Sequence, residues 1–197
     1  MNSNEKLYGL VLTGGKSSRM GIDKSKIEYH GLPQRDYLIS LLREVCDDVF
    51  LSVQSNMGVA SKEIKTIVDQ NDYLGPFNGL YSAHKQHPEV AWLVLACDLP
   101  FLDLDALMHL KNKRNKKKSV TAYCKKGSIF PEPLCAIWES NSFQKAEVFF
   151  TKGEGASPSK FLQSINFECV YPKEERVLMN VNTLEEYETA KKIIDSK

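Results

Sequence analysis

Apolar positions along this chain fall in two rhythms. Short, nearly continuous apolar, β-branched or aromatic runs predict strands at LYGLVL (7–12), DVFLSV (48–53), KTIV (65–68), AWLVLA (91–96), SVTAYC (119–124), LCAIW (134–138) and FECVY (167–171). Between them, helical patterns predict helices over about 34–46, 78–86, 103–112, 140–149, 157–164 and 183–194. The alternation is that of a layered α/β fold. Runs 7–12 and 91–96 are apolar nearly throughout, as central strands covered on both faces must be. The last helix opens at Asn182-Thr183-Leu184-Glu185-Glu186, where Asn182 or Thr183 caps and the glutamates favour the positive helix end. GEGASPSK (153–160) reads as a glycine loop opening a helix capped by Ser157 or Ser159; it serves either as a simple connection or as a lid or substrate-side loop.

Composition narrows the class. The 197 residues suit a single domain over 1–197, and 42% hydrophobic with 26% charged residues is the balance of an ordinary soluble globule. A net charge of +1 supplies no global field for nucleic acid or an anionic membrane, so any charge function is local. The start MNSNEK is polar and no apolar run reaches membrane-spanning length. Five cysteines, an odd number and never in CxxC form, read as reduced core residues of a cytoplasmic protein. The basic run KNKRNKKKS (111–119) reads as a solvated helix end and loop.

Candidate chemistry starts at LVLTGGKSSRMGIDKSKI (10–27), an apolar strand, then Gly14-Gly15, then Lys16, Arg19, Lys24 and Lys26. Adjacent glycines let a backbone approach a ligand closely, and the cations that follow suit a polyanion. Neither common phosphate loop is present. A Walker loop needs glycine at position 10, which is Leu10, and adjacent glycines do not make GxGxxG. A second strand delivers Asp98 at its end in WLVLACDLPFL (92–102), and a third, KTIVDQ, ends in Asp69. In open α/β sheets ligands sit outside the carboxyl ends of strands, so glycines, cations and two aspartates are expected on one rim. Asp98 there suits Mg²⁺, a hard cation held by one or two carboxylates plus substrate phosphates.

LTGGKSSRMGIDK resembles the signature of the nucleotidyltransferases that activate sugars and cofactors. With DQNDYLGPFNGL (69–80), ACDLPFL (96–102), PEPLCAIW (131–138) and NVNTLEEY (180–187), it is most similar to the molybdenum cofactor guanylyltransferases, the MobA-like family. The blocks run in family order from about residue 7 to 190. The resemblance implies a single Rossmann-like α/β/α domain with a mostly parallel sheet. It implies Mg²⁺-dependent transfer of GMP from GTP to molybdopterin, with pyrophosphate released. It further implies that the backbone of Leu12, Thr13, Gly14 and Gly15 holds guanine, that Arg19 and Lys24 meet the triphosphate, and that Asp69 contacts the nucleotide. Asp98 would hold the metal, and Asn180 and Asn182 would sit at the pterin side or the reacting phosphate. Other molybdenum cofactor biosynthesis proteins or apo-molybdoenzymes are the implied protein partners.

Three positions depart from the family pattern: Thr13 for the usual Ala, Ser52-Val53-Gln54 for Asn-x-Asn, and QRDY (34–37) for an apolar helix start. An attacking phosphate is already ionised at neutral pH, so the transfer needs positioning and charge neutralisation rather than a general base. That fits a chain with four histidines, none in a motif block; His84 and His87 read as exposed or capping. The alternatives are cytidylyl transfer to molybdopterin, transfer to a sugar phosphate, and a catalytically silent nucleotide-binding maturation protein.

Overall fold

The run Ala91–Ala96, buried at every position, lies at the centre of a seven-stranded sheet. The computed structural model describes residues 6–13, 23–54, 64–128, 130–151 and 157–196. Its strands are β1 (Leu7–Leu12), β2 (Asp48–Val53), β3 (Lys65–Val68), β4 (Ala91–Ala96), β5 (Val120–Cys124), β6 (Pro131–Trp138) and β7 (Glu168–Val170). The α-helices are α1 (Gln34–Val45), α2 (Pro76–Gln86), α3 (Leu104–Asn112), α4 (Ser140–Thr151), α5 (Pro158–Ser164) and α6 (Leu184–Asp195), with 3₁₀ turns at Lys24–Lys26 and Glu175–Leu178. All thirteen expected elements are present within a few residues of their expected limits.

The strand order is β3-β2-β1-β4-β6-β5-β7. Pairings β1–β2, β1–β4, β2–β3 and β5–β7 are parallel, and β6 alone runs antiparallel to its neighbours β4 and β5. β6 starts three residues before the expected LCAIW, through Pro131 and Pro133. Prolines have no N–H to give to a ladder, yet here they are tolerated, because β4 pairs only with Cys135–Trp138 and leaves the first half of β6 free on that side. The β5 register also slips between Ala122 and Tyr123.

Both faces of the sheet are covered. On one, Leu38, Leu42 and Val45 of α1 and Leu107 and Leu110 of α3 pack on Val11, Leu51, Leu93 and Leu95. On the other, Phe77 and Leu80 of α2, Phe143 and Ala146 of α4 and Phe161 of α5 pack on Leu10, Ile67, Trp92, Val94 and Trp138. A third cluster, Ile27, Tyr29, Phe101, Val181 and Ala190, seats α6 against the strand ends. At α6 the cap is Thr183, whose hydroxyl accepts from the Glu186 amide while the Glu186 carboxylate accepts from Thr183 N–H. Ser157 occupies the N-cap of α5 but makes no side-chain cap; Pro158 opens the helix.

The charge run is less solvated than its composition predicts. Arg114 forms an ion pair with Glu139 at 2.7 Å, their side chains only 10% and 2% exposed, and Lys111 Nζ donates to the Val45 carbonyl. His87 is the C-cap of α2, but His84 is half-buried rather than exposed, stacked face to face on Phe143 at 4.0 Å. Burial lowers the His84 pKa, so it stays neutral near pH 7. The five cysteines are free, and Cys97, Cys124 and Cys135 are buried. Among the described residues, no helix is long and apolar enough to cross a membrane.

Two glycines fix α2 against the sheet. Gly75, at its N-cap, has φ +72°, a backbone region open chiefly to glycine. At Gly79 an added Cβ would lie 2.3 Å from Ser52 Oγ and 3.0 Å from Leu12 Cδ2, so the helix backbone rests directly on the strand ends. Gly79→Ala is therefore expected to destabilise by about 1–3 kcal/mol through overpacking, read as a lower urea midpoint at unchanged slope. A midpoint equal to wild type would show that α2 does not make this close approach.

Candidate active site

Because β1, β2, β3 and β4 are mutually parallel, their carboxyl ends open on one side of the sheet. Leu12 lies opposite both Ser52 and Ala96, so the chain leaving β1 starts between β2 and the Cys97-Asp98 exit of β4. The antiparallel β6 brings its beginning to the same edge, since Leu95 faces Cys135 and the earlier residues of β6 continue past β4.

Asp69 follows β3, with its amide bonded to the Val53 carbonyl. Its carboxylate accepts from the Ser52 hydroxyl at 2.7 Å and from the Asn78 side chain. Burial raises the Asp69 pKa, and those two hydrogen bonds oppose the rise. The Thr13 hydroxyl donates to the Ser52 carbonyl at 2.6 Å. Two of the sequence departures therefore touch each other: Thr13 ties the end of β1 to β2 where Ser52 holds Asp69.

Asp98 stands at the exit of β4. Its backbone carbonyl accepts from Val181 N at 2.8 Å, and its Oδ2 accepts from Asn180 Nδ2 at 3.1 Å. The neighbouring Cys97 thiol, pushed up by burial and by the Asp98 charge, stays protonated and lies 3.5 Å from the Leu12 carbonyl as its donor. Asn182, two residues beyond Asn180, accepts from Lys24 Nζ at 2.6 Å. Lys24 is presented by a 3₁₀ turn whose start is held by Asp23, a carboxylate that accepts from both the amide and the hydroxyl of Ser25. Glu186, beside them, has its pKa lowered by the Asn182 and Thr183 amides and by the Lys24 charge. Lys26 instead pairs with Asp23 at 3.7 Å and points to solvent.

Of the expected site residues, Leu12, Thr13, Lys24, Asp69, Asp98, Asn180 and Asn182 all lie along these strand ends, in two linked sets. One set joins Asp98 to Asn180 and Lys24 to Asn182; the other joins Thr13, Ser52 and Asp69. Gly14, Gly15, Lys16 and Arg19 lie outside the described residues, as does the first half of GEGASPSK (153–156). The sequence analysis did not single out Glu132. Burial raises its pKa and the Asp98 charge adds to the rise, while the Leu134 amide, at 3.2 Å, and Lys125 oppose it. Glu132, Lys125, Phe130, Pro76, Ser157 and Leu178 are among the residues lining a cavity of about 610 Å³. The motif PEPLCAIW contains Glu132, but only the overhang of β6 past β4 shows how it comes within electrostatic reach of Asp98.

Known proteins resemble this chain over most of its length. A family model described as the MobA-like NTP transferase domain matches residues 9–166. A molybdenum cofactor biosynthesis bifunctional protein of Synechocystis is 35% identical over 94% of this chain, which spans 54%, about half, of that protein's length. A molybdenum cofactor guanylyltransferase of Pseudomonas fluorescens is 29% identical over 88% of each chain. Two solved structures share the fold. Molybdopterin-guanine dinucleotide biosynthesis protein A of Archaeoglobus fulgidus has a TM-score of 0.75 at 20% identity, covering 96% of this chain and 100% of that one. A nucleotidyl transferase of Methanothermobacter has a TM-score of 0.78 at 11% identity, covering 97% of this chain and 98% of that one. With the matched region spanning most of the sheet and its rim, the chain belongs to the MobA-like NTP transferase family.

Proposed function

We propose that this protein transfers GMP from GTP to the phosphate of molybdopterin and releases pyrophosphate, with Mg²⁺ bound at Asp98. The observation that carries the reading is the linked rim, Lys24 to Asn182 and Asn180 to Asp98, in a chain of a nucleotidyltransferase family. GTP as donor and molybdopterin as acceptor are supported by relatives named molybdenum cofactor guanylyltransferase.

In this reading the backbone at Leu12 and Thr13, continuing into Gly14 and Gly15, holds the guanine edge, and Asp69 meets the nucleoside. Lys24 and Arg19 bind the triphosphate; Lys24 exchanges its contact with Asn182 for phosphate oxygens. Asn182, freed from Lys24, and Asn180 can then orient the acceptor phosphate with amide donors. An acceptor phosphate oxygen forms a new bond to Pα while the bond from Pα to the α–β bridging oxygen breaks, and pyrophosphate departs in line. No proton has to move, so these residues contribute position and charge. The acceptor ring enters from the side of the cavity beside Glu132.

Asp98 fits a hard divalent ion: its carboxylate is held at the rim by a neutral amide, and Glu132 adds negative charge nearby. No group of three or more His, Cys, Asp or Glu side chains suited to a metal occurs among the described residues, so substrate phosphates would complete the coordination. When bound, Mg²⁺ neutralises charge on the α-phosphoryl oxygens and the departing pyrophosphate.

Three outcomes test the reading. GTP with Mg²⁺ should raise the melting temperature more than CTP, ATP or UTP does, because a ligand that binds only the native state stabilises it by mass action. Equal or greater stabilisation by CTP would favour the cytidylyl alternative. Lys24→Ala should leave the fold intact and cost about 1.5–3 kcal/mol in kcat/KM, the loss of one charge-assisted hydrogen bond; turnover like wild type would remove Lys24 from the site. Asp98→Asn, nearly isosteric, should cut pyrophosphate release with molybdopterin about a hundredfold and abolish the Mg²⁺ requirement, since a metal supplies several kcal/mol to such a transition state. Near-normal turnover with an unaltered Mg²⁺ dependence would leave Asp98 as a turn residue only.

A further inference from the structure

Asp98 is followed by a turn, Leu99-Pro100-Phe101-Leu102, that carries the chain away from the sheet and into α3. Three of its four carbonyls accept hydrogen bonds from side chains at one place, the start of α1 and the loop before it. Gln34 Nε2 donates to Leu99 O at 3.3 Å, His30 Nε2 donates to Pro100 O at 2.8 Å, and the Tyr37 hydroxyl donates to Leu102 O at 2.9 Å. The His30 ring stacks on Tyr37 with centroids 3.9 Å apart and planes 18° apart, so two of the three donors brace one another. Burial, with the Asp103 charge, raises the Tyr37 pKa and keeps its hydroxyl a donor.

Packing does not require these groups. The apolar face of α1 is already anchored in the core through Leu38, Ile39, Leu42 and Val45. Gln34 is fully buried, and its Oε1 has no hydrogen-bond partner among the described residues, a desolvation cost that an apolar side chain of similar volume would not carry. A buried amide kept at that cost has one visible use, its bond to Leu99 O, the first carbonyl after Asp98. Gln34 and Tyr37 are the first and fourth residues of QRDY, the segment where this chain departs from an apolar helix start.

We propose that Gln34, His30 and Tyr37 form a clamp that positions the Asp98 carboxylate. They are positioning residues: none is placed against substrate, and each acts through the backbone of the turn that Asp98 enters. The Val181 amide and the Asn180 side chain also hold Asp98, so the clamp fixes the turn that follows it while the C-terminal segment fixes the residue itself. A displacement near 1 Å at a reacting centre costs up to about a hundredfold in rate, which sets the scale of what such a clamp protects.

This inference rests on Asp98 as the Mg²⁺ ligand, so the experiment includes Asp98→Asn as its reference. Wild type, Tyr37→Phe, Gln34→Leu and the double variant are compared by thermal melting with GTP across a Mg²⁺ titration, and by steady-state pyrophosphate release. Tyr37→Phe keeps the ring that stacks on His30, and Gln34→Leu removes the unpartnered oxygen, so both should fold. The expected result is a Mg²⁺ midpoint for the GTP-dependent melting shift raised by about tenfold in the double variant, with kcat lowered by about tenfold and KM for GTP unchanged. Melting without ligand should change little. If the folded double variant has the Mg²⁺ midpoint and kcat of wild type, the clamp is overturned; a lower melting temperature with an unmoved Mg²⁺ midpoint overturns it equally, as a purely structural role. If the double variant does not fold, Tyr37→Phe alone carries the same comparison. Should Asp98→Asn itself retain the wild-type Mg²⁺ response, the metal reading fails and the clamp with it. Loss of that response in Asp98→Asn beside wild-type behaviour in the clamp variants defeats the clamp alone.

Discussion

The parallel pairing of β1 with β4, from Leu7 opposite Ala91 to Leu12 opposite Ala96, is the constraint on which the site depends. It sets the exit of the glycine-bearing segment and the exit of the aspartate-bearing segment at one level, although 85 residues separate Leu12 from Cys97, whose thiol donates to the Leu12 carbonyl. Parallel strands cannot be joined by a tight turn, and the crossovers between them supply the helices that bury both faces. The same geometry makes the core nearly independent of the rim. Leu10, Val11, Leu93, Val94 and Leu95 are fully buried, whereas Thr13 and Asp98 just beyond them are partly exposed. Polar residues can vary at the strand ends without unpacking the sheet beneath.

Three hydrogen bonds of the C-terminal segment reach candidate site residues on this rim. Val181 N bonds the Asp98 carbonyl, Asn180 bonds its carboxylate, and Asn182 holds Lys24. A small apolar cluster, Ile27 and Tyr29 against Val181 and Ala190, supplies the burial that keeps them there. Lys24 and Asp98 thus share one support, the strand-like stretch Asn180–Asn182, and α6 with its capping box anchors that stretch from behind. Cation and carboxylate each bond their own asparagine. The interactions that hold them are neutral amides, which reorient at lower cost than an ion pair would.

Departures from the family pattern make physical sense as local sets. Thr13 bonds the backbone of Ser52, and Ser52 bonds Asp69 in the space left by Gly79. An added Cβ at position 79 would lie 2.3 Å from the Ser52 hydroxyl oxygen, so glycine there leaves that hydroxyl its place. Gln34 and Tyr37 likewise spend polar groups on the turn after Asp98, where a strand end would otherwise leave carbonyls to water.

The sequence by itself determined the elements and the layered α/β class, because period-two and period-3.6 burial are local properties of a chain. Every strand and helix expected from those rhythms is present, and the motif blocks already named Lys24, Asp69, Asp98, Asn180 and Asn182. What the linear order could not supply was the pairing of distant segments. Nothing in the linear order shows that β4 pairs only with the second half of β6, and with that overhang comes Glu132 within electrostatic reach of Asp98. The basic run read as solvated because burial of Arg114 needs Glu139, contributed from the far end of β6. His84 read as exposed or capping because its cover, Phe143, belongs to another helix. The use of QRDY was hidden for the same reason: its partners are the carbonyls of Leu99 and Leu102, and backbone acceptors carry no sequence signature. Composition and periodicity report what a residue's neighbours in the chain require, whereas a hydrogen bond or ion pair between elements exists only once the sheet order has brought its two halves together.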